Sequence, residues 1–116
     1  MSTRKDVVET YIEGFRRVDH ARILSCLTDD VVWDLFGYKS LTGKAAFDEE
    51  IENDAMVGPP TLTIDRLVEE ADSVVAVGGG KVARREGDPL VFVFCDVFTF
   101  AGDKISRVET YQVNLT

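Results

Sequence analysis

The sequence has few of the residues that build metal sites and disulfides. Its 116 residues include one histidine and two cysteines. A lone histidine, His20, with no Cys-x-x-Cys motif beside it does not make a zinc site, and a reducing compartment would keep Cys26 and Cys95 as thiols. We therefore predict no structural metal and no cofactor, and we expect both cysteines to be small buried hydrophobic side chains.

Positive charge and long hydrophobic runs are also scarce. Thirteen basic residues stand against 21 acidic ones, a net charge of −8. Nucleic-acid binding depends on Lys and Arg that displace counterions from phosphates, so no nucleic acid is expected as a partner. The longest apolar run, residues 90–95, is far shorter than the roughly 20 residues of a membrane-spanning helix. With no apolar signal-peptide segment near the N-terminus either, we expect no membrane and a cytoplasmic location.

What is present is the composition of one ordinary folded domain, 1–116, with 45% hydrophobic residues. Apolar residues from Val7 to Val18 recur at helical spacing, and Thr3 with Asp6 resembles a capping box, which predicts a first helix. Asp19 is placed to cap a short second helix that has His20 in its first turn and ends at residues 28–30.

The rest of the sequence predicts five strands and one further helix. Residues 31–36 predict a first strand, and a third helix is expected over 44–53 with Thr42 as its cap. Four further strands are expected, at 61–69, 73–85, 89–100 and 104–114, joined by short turns that make neighbours antiparallel. This order predicts an α+β fold in which a mixed sheet curls into a cone against three helices from the N-terminal half of the chain.

The strand over residues 90–100 is apolar on both faces, whereas a sheet with one wet face should alternate. Counting by twos puts Val93, Cys95 and Val97 on the outer face. We expect a second copy of the protein to cover this face, which implies a homodimer.

Asp96 lies in the same strand, on the face of Phe94, Phe98 and Phe100. A carboxylate in such surroundings loses water, so we expect its pKa to be raised. Buried acids cluster at functional sites, but a structural aspartate hydrogen-bonded in the core is the alternative.

Asp34 and Tyr11 are two further candidates for the functional site, and each also has a purely structural explanation. Asp34, at the end of the first strand, is either a functional carboxylate or an exposed strand-end residue. Tyr11, on the apolar face of the first helix, is at a position where most tyrosines only pack. The aromatic residues expected to line a core or an apolar pocket are Phe15, Trp33, Phe47, Phe94 and Phe98.

Together, the element order and four segments resemble the nuclear-transport-factor-2-like superfamily, which has a cystatin-like fold. The segments are TDDVVWD at 28–34, LTGKAAF at 41–47, DVFTF at 96–100 and GDKI at 102–105. Within the superfamily, the chain is most similar to the SnoaL-like polyketide cyclases and the ketosteroid isomerases, and the resemblance spans essentially the whole chain. It implies the fold more strongly than the function, because the superfamily hosts isomerases, cyclases, dehydratases, hydrolases and members that only bind.

The ketosteroid isomerases hold a ligand oxygen with a first-helix tyrosine and a protonated late-strand aspartic acid, and a second aspartate moves the proton. The resemblance places Tyr11 and Asp96 at the first two positions. Counted back from the glycines at 37 and 43, Asp34 falls on the base, but counted forward from residues 29–30 the position is Leu35. A slip of one residue turns a strand side chain to the opposite face. We expect Asp34 to face the pocket.

By the same resemblance, Val108, Thr110 and Gln112 face the cavity. The function that it implies is a cofactor-free isomerase or cyclase that abstracts a proton next to the carbonyl group of a small apolar ligand, with Asp34 as base and Tyr11 and neutral Asp96 as donors. The alternative is a non-catalytic ligand-binding or dimeric interaction module with a structural Asp96. An Asp34 side chain that points to solvent would favour this alternative or an unrelated chemistry.

Overall fold

The long strands of the second half of the chain curl into one sheet, and the helices of the first half pack on its inner face. The computed structural model describes residues 3–52 and 54–116. Its helices are α1 (Arg4–Arg17), α2 (His20–Leu24) and α3 (Lys44–Ile51). Its strands are β1 (Leu27–Leu35), β2 (Lys39–Thr42), β3 (Met56–Glu70), β4 (Ser73–Arg84), β5 (Leu90–Ala101) and β6 (Lys104–Asn114).

The capping box at the start of α1 is confirmed. The Thr3 hydroxyl accepts a hydrogen bond from the Asp6 backbone N–H at 3.1 Å, and the Thr3 N–H donates to the Asp6 carboxylate at 3.0 Å. These two bonds satisfy donors that a helix start leaves open. The helix ends where Val18 adopts a left-handed conformation, and its buried face includes Val8 and Tyr11.

The six strands form one sheet in the order β2-β1-β6-β5-β4-β3. Only β1 and β6 pair in parallel, and every other pair of neighbours is antiparallel, including the predicted pairing of β4 with β5. The sheet curls without closing, and the predicted α+β fold is confirmed. Its inner face and the helices bury a core that includes Val8, Ile23, Phe47, Val74 and Phe98.

Three local predictions differ from the structure. Thr42 does not cap α3, because it belongs to β2, an unpredicted strand in which it pairs with Val32. Strand β1 begins at Leu27, so residues 28–30 lie in a strand rather than ending α2. Strand β3 begins at Met56 and runs through the Gly-Pro-Pro segment, which an edge strand tolerates because proline's missing N–H breaks no ladder there.

Both cysteines are free. Cys26 is buried, as expected, while Cys95 is only half-buried on the outer face of the sheet. In the described part of the chain, no helix combines the length and apolar character that crossing a membrane requires.

The outer face of the sheet carries exposed apolar side chains. Val93 on β5 is 43% exposed, and Tyr111 and Val113 on the neighbouring β6 are exposed as well. Val93, Cys95 and Val97 do point away from the helices, since the alternate residues of β5 are the buried ones. Cover by a second copy of the chain stays a prediction.

That homodimer can be tested at Val97, which lies between Val75 on β4 and Glu109 on β6. Val97→Glu should place a charge in an apolar interface beside another carboxylate, at a cost of several kcal/mol, enough to dissociate a typical dimer. Light scattering should give twice the chain mass for the unchanged protein and a monomer mass for the variant. A monomer mass for the unchanged protein would contradict the prediction.

The His20 side chain links α2 to the end of α3 through two carboxylates. Its Nδ1 lies 2.5 Å from Asp48 Oδ1, and its Nε2 lies 2.7 Å from Glu52 Oε2. Only the doubly protonated imidazolium can donate to both carboxylates. The hydrogen bonds to Asp48 and then to Glu52 accordingly raise the pKa of His20.

This ion pair should make stability depend on pH. The raised pKa means that the contribution of His20 is fully present below its ordinary value of 6.5 and is lost as pH rises through the folded-state value. Thermal melts of wild type and His20→Gln should therefore differ most at pH 5 and converge at pH 9. Because the pair is partly exposed, 0.5 M salt should shrink the difference. A difference that is constant across pH would contradict this account.

Candidate functional site

An apolar pocket of about 160 Å³ lies between α1 and the inner face of the curled sheet. Its walls come from α1, β1, β3, β5 and β6, so the curl of the sheet is what brings them together. The lining residues are Tyr11, Ile12, Phe15, Trp33, Leu35, Pro60, Leu62, Phe92, Phe94, Asp96, Thr110 and Gln112.

Seven of the predicted site residues line this pocket. They are Tyr11, Phe15, Trp33, Phe94, Asp96, Thr110 and Gln112. Three predicted lining residues, Phe47, Phe98 and Val108, are fully buried in the core instead. Phe47 stacks on Trp33 with ring centres 4.3 Å apart, and Phe98 meets Tyr11 edge to face at 5.0 Å. These residues support the pocket walls from behind rather than contact a ligand.

The prediction that Asp34 faces the pocket is wrong. Side chains alternate along a strand, and the neighbours of Asp34, Trp33 and Leu35, are the ones that line the pocket. The Asp34 carboxylate lies on the other face, where it accepts hydrogen bonds from the Ser40 hydroxyl at 2.8 Å and from Arg107. The count forward from residues 29–30, which pointed to Leu35, therefore gives the residue that faces the pocket.

Asp96 is the carboxyl group of the pocket. It is only 9% exposed, and its Oδ1 has no hydrogen-bond partner. Burial raises the pKa of Asp96 to about 7, while a hydrogen bond from Thr110 acts in the opposite direction. The direction is the one expected from its apolar strand.

A short hydrogen-bonded chain holds this carboxyl group in place. The Trp33 indole N–H donates to Thr110 Oγ1 at 2.9 Å. Since an indole only donates, Thr110 Oγ1 accepts from Trp33 and keeps its own hydroxyl hydrogen for Asp96, which it faces across the β5–β6 pair. Side chains from β1, β6 and β5 thus form one polar cluster in an otherwise apolar site.

Tyr11 supplies the second acidic proton. Its side chain is 2% exposed, and its ring packs against Phe15 and Phe98, both with centres 5.0 Å away. Burial first, then the charges of Asp96 and Cys26, raise the pKa of the Tyr11 hydroxyl well above its ordinary value of 10.0. Tyr11 therefore stays protonated and can donate a hydrogen bond to a ligand oxygen.

Sequence reasoning missed four lining residues, Ile12, Pro60, Leu62 and Phe92, and offered Leu35 only as the alternative to Asp34. Phe92 could have been found, because it alternates with Phe94 and Asp96 along β5. Pro60 and Leu62 could not, because the Gly-Pro-Pro segment indicates a loop when it is considered without its partner strand. Among the described residues, no group of three or more His, Cys, Asp or Glu side chains is arranged to hold a metal ion.

Comparisons with known proteins agree with this architecture. The family model of the SnoaL-like domain matches residues 8–108. A search of the curated proteins gives no match. An NTF2-like protein of unknown function from Burkholderia pseudomallei superposes with a TM-score of 0.83 at 21% identity, covering 96% of this chain and 91% of that one.

Two further solved structures share the fold. A protein with a ketosteroid isomerase-like fold from Catenulispora acidiphila, in complex with trimethylamine, has a TM-score of 0.83 at 15% identity and covers 94% of this chain and 86% of its own. A putative SnoaL-like polyketide cyclase from Shewanella putrefaciens has a TM-score of 0.80 at 10% identity, with 97% and 80% covered. The resemblance inferred from the sequence is confirmed at the level of family and fold.

The burial of Asp96 should make wild-type stability fall as pH rises. An unfolded aspartic acid ionises near 3.8, whereas folding holds the neutral acid up to about 7. The stabilisation that the neutral acid contributes is therefore lost over this interval, and a gap of this size corresponds to about 4 kcal/mol at most. Asp96→Asn, which cannot ionise, should gain in free energy of unfolding relative to wild type between pH 4 and 7.

The measurement is urea unfolding from pH 4 to 8, followed by the fluorescence of the single tryptophan. Asp103→Asn, at the exposed turn between β5 and β6, corrects for the loss of one charge. A wild-type minus Asp96→Asn difference that does not change with pH would refute the assignment of Asp96 as a buried acid.

Proposed function

The chain belongs to the SnoaL-like domain family, and we propose that it is a cofactor-free isomerase or cyclase that moves a proton next to the carbonyl group of a small, largely apolar ligand. One observation carries the proposal: a buried carboxyl group, Asp96, and a protonated phenol, Tyr11, line the same aromatic pocket. Two acidic groups whose environments give them different protonation states are typical of acid–base sites.

Asp96 takes the role of proton carrier in this proposal. It is the only carboxyl group among the lining residues, and its pKa of about 7 leaves much of it ionised near neutral pH. A base is most effective when its pKa lies near the working pH. Asp34, which the sequence suggested for this role, is on the opposite face of β1 and is replaced in it by Asp96.

The proposed reaction needs no further group. The Asp96 carboxylate removes a proton from the carbon next to the carbonyl, the electron pair of that C–H bond forms a double bond to the carbonyl carbon, and the π pair of the C=O bond moves onto the oxygen. The Tyr11 hydroxyl donates a hydrogen bond to the resulting enolate, and such a fixed donor in a dry site stabilises charge without reorganising. When the ligand carries a conjugated double bond, the enolate is a dienolate, and Asp96 returns the proton to its γ-carbon to yield an isomer. When the ligand carries a second carbonyl group, the enolate carbon bonds to that carbonyl carbon, and Asp96 returns the proton to the resulting alkoxide oxygen to complete a ring.

A second candidate is a ligand-binding module without chemistry. It is favoured by Leu35, because an apolar side chain stands in the pocket where the ketosteroid isomerase resemblance implies a base. In this reading the Tyr11 and Asp96 hydroxyl groups donate to a bound ketone or phenol, and no proton leaves carbon. The homodimer predicted above would suit either candidate.

Exchange of the ketone's α-protons in deuterated water, followed by NMR, separates the two candidates. Cyclohexanone should exchange faster with the protein than without it, and the rate should rise with pH through about 7 as Asp96 ionises. Asp96→Asn should lose roughly 10² to 10⁴ in rate, and Tyr11→Phe should lose roughly 10² to 10³.

Asp34→Asn is the matched control, since it removes a carboxylate from the same part of the fold but from outside the pocket. Its exchange rate should stay within about twofold of wild type. Equal losses in Asp34→Asn and Asp96→Asn would refute Asp96 as the proton carrier. Ketone binding without exchange above background would refute the enzyme and leave the binding module.

A further inference from the structure

The triple-glycine run in β4 shapes one wall of the pocket. In the β4–β5 register, Gly80 lies opposite Phe92 and Gly78 opposite Phe94. A Cβ built on Gly80 would lie 2.5 Å from the tip of the Phe92 ring and 2.9 Å from a methyl group of Leu62. Both Phe92 and Leu62 line the pocket. The Phe92 ring therefore occupies the space that any side chain at position 80 would take.

Gly78 makes the same kind of room one step further along the strand. A Cβ there would lie 3.1 Å from the tip of the Phe94 ring, but only 2.0 Å from the Thr63 backbone oxygen. A side chain at position 78 would thus disrupt the β3–β4 pairing itself. At Gly80 the Cβ would meet the ends of the Phe92 and Leu62 side chains first, and it would also lie 2.9 Å from the Thr61 backbone oxygen. A side chain at position 80 would therefore displace the pocket wall and press on the β3–β4 pairing less severely than one at position 78.

The opposite wall, formed by Trp33, cannot move outward to admit a larger ligand. Trp33 stacks on Phe47 with ring centres 4.3 Å apart, and Phe47 is fully buried. The volume of about 160 Å³ between these walls is close to that of an engineered apolar cavity of about 150 Å³ that binds benzene. It holds one six-membered ring.

Charge restricts the ligand as well. Two further cavities adjoin the pocket, and all three share Gln112. The charged residues that line them are carboxylates: Asp96 in the pocket, Glu52 in one neighbouring cavity and Glu50 in the other. Glu52 is ion-paired with His20 and Glu50 with Lys39, and none of the described lining residues is Lys or Arg. A phosphate or carboxylate on the ligand would therefore lose water without gaining a cation from the lining. The cations Arg16 and Arg66 line a separate groove between α1 and β3.

We propose that the site selects an uncharged ligand with a single six-membered ring in the pocket, and that Gly80 sets this limit by leaving the Phe92 ring a place against β4. The ligand oxygen meets Tyr11 at the inner end, the neighbouring ring carbon lies beside Asp96, and any substituent leaves past Gln112. This inference rests on the proposed function, because it assumes that the ring is oriented by those two acidic groups.

Binding of three probes at pH 6 tests the limit in the wild-type protein. The probes are phenol, the two-ring 2-naphthol and the anionic 4-hydroxybenzoate, and the readout is the NMR shift of the Trp33 indole N–H. Phenol should bind at least tenfold more tightly than either of the others. Equal or tighter binding of 2-naphthol or 4-hydroxybenzoate would overturn the proposal.

Two variants, with one control, test whether the wall formed by Gly80 and Phe92 sets the size limit of the ligand. Gly80→Ala should push Phe92 into the pocket and weaken phenol binding tenfold or more. Gly79→Ala is the control, because its Cβ would point to the other face, 3.8 Å from Val93 and 3.1 Å from the Phe92 backbone oxygen, and would not meet the Phe92 ring. It should bind phenol like wild type. Phe92→Ala should gain affinity for 2-naphthol at least tenfold, which keeps the test decisive if Gly80→Ala does not fold. Equal effects of the two glycine variants, or no gain with Phe92→Ala, would refute the role of Gly80.

These results are independent of the exchange assay. If phenol is preferred as expected but no ketone exchanges protons, the ligand class stands and the enzyme fails. If ketones exchange protons but the two-ring probe binds better, the enzyme stands and the size limit fails. If no probe binds, the proposed ligand class fails, and the exchange assay alone decides the enzyme.

Discussion

A carboxyl group with almost no water is the constraint on which the site depends. Asp96 is buried in an apolar pocket, and one of its oxygens has no hydrogen-bond partner. The fold tolerates this because Thr110, on the neighbouring strand, provides a hydrogen bond to the carboxyl group. The Trp33 indole orients the Thr110 hydroxyl by donating to it. A group held in this way retains its proton far above the usual pH, and Tyr11 beside it does so even more strongly.

The size of the site follows from how aromatic rings pack against the curled sheet. On one side, Phe92 and Phe94 lie over backbone that carries no side chains, which keeps the sheet close to its rings. On the other side, Trp33 is held by Phe47 in the core. Close packing of this kind does not yield easily, since protein interiors are as dense as organic crystals. The walls of the pocket at Phe92, Phe94 and Trp33 therefore resist displacement.

The position of one strand decides which chemistry is possible. Trp33 and Leu35 point into the pocket, so Asp34 between them points away and pairs with Arg107. Had β1 been shifted by one residue, the pocket would contain two carboxylates and lose its indole donor to Thr110. Asp96 is therefore the one carboxyl group among the described lining residues, which is why the proposed proton transfer is assigned to it.

The sequence by itself determined the order of the elements apart from β2, the start of α1, the apolar surroundings of Asp96 and five of the pocket residues, while Thr110 and Gln112 came from the family resemblance. The first set depends on periodicity and capping, which are local along the chain. Only the tertiary structure decided that Asp34 lies outside, that Phe47 supports the pocket instead of lining it, and that Gly80 sets its depth. Each of these depends on pairing between distant residues, as when Asp34 lies opposite Glu109 on β6. Alternation along one strand does not state which of its two faces the helices will cover.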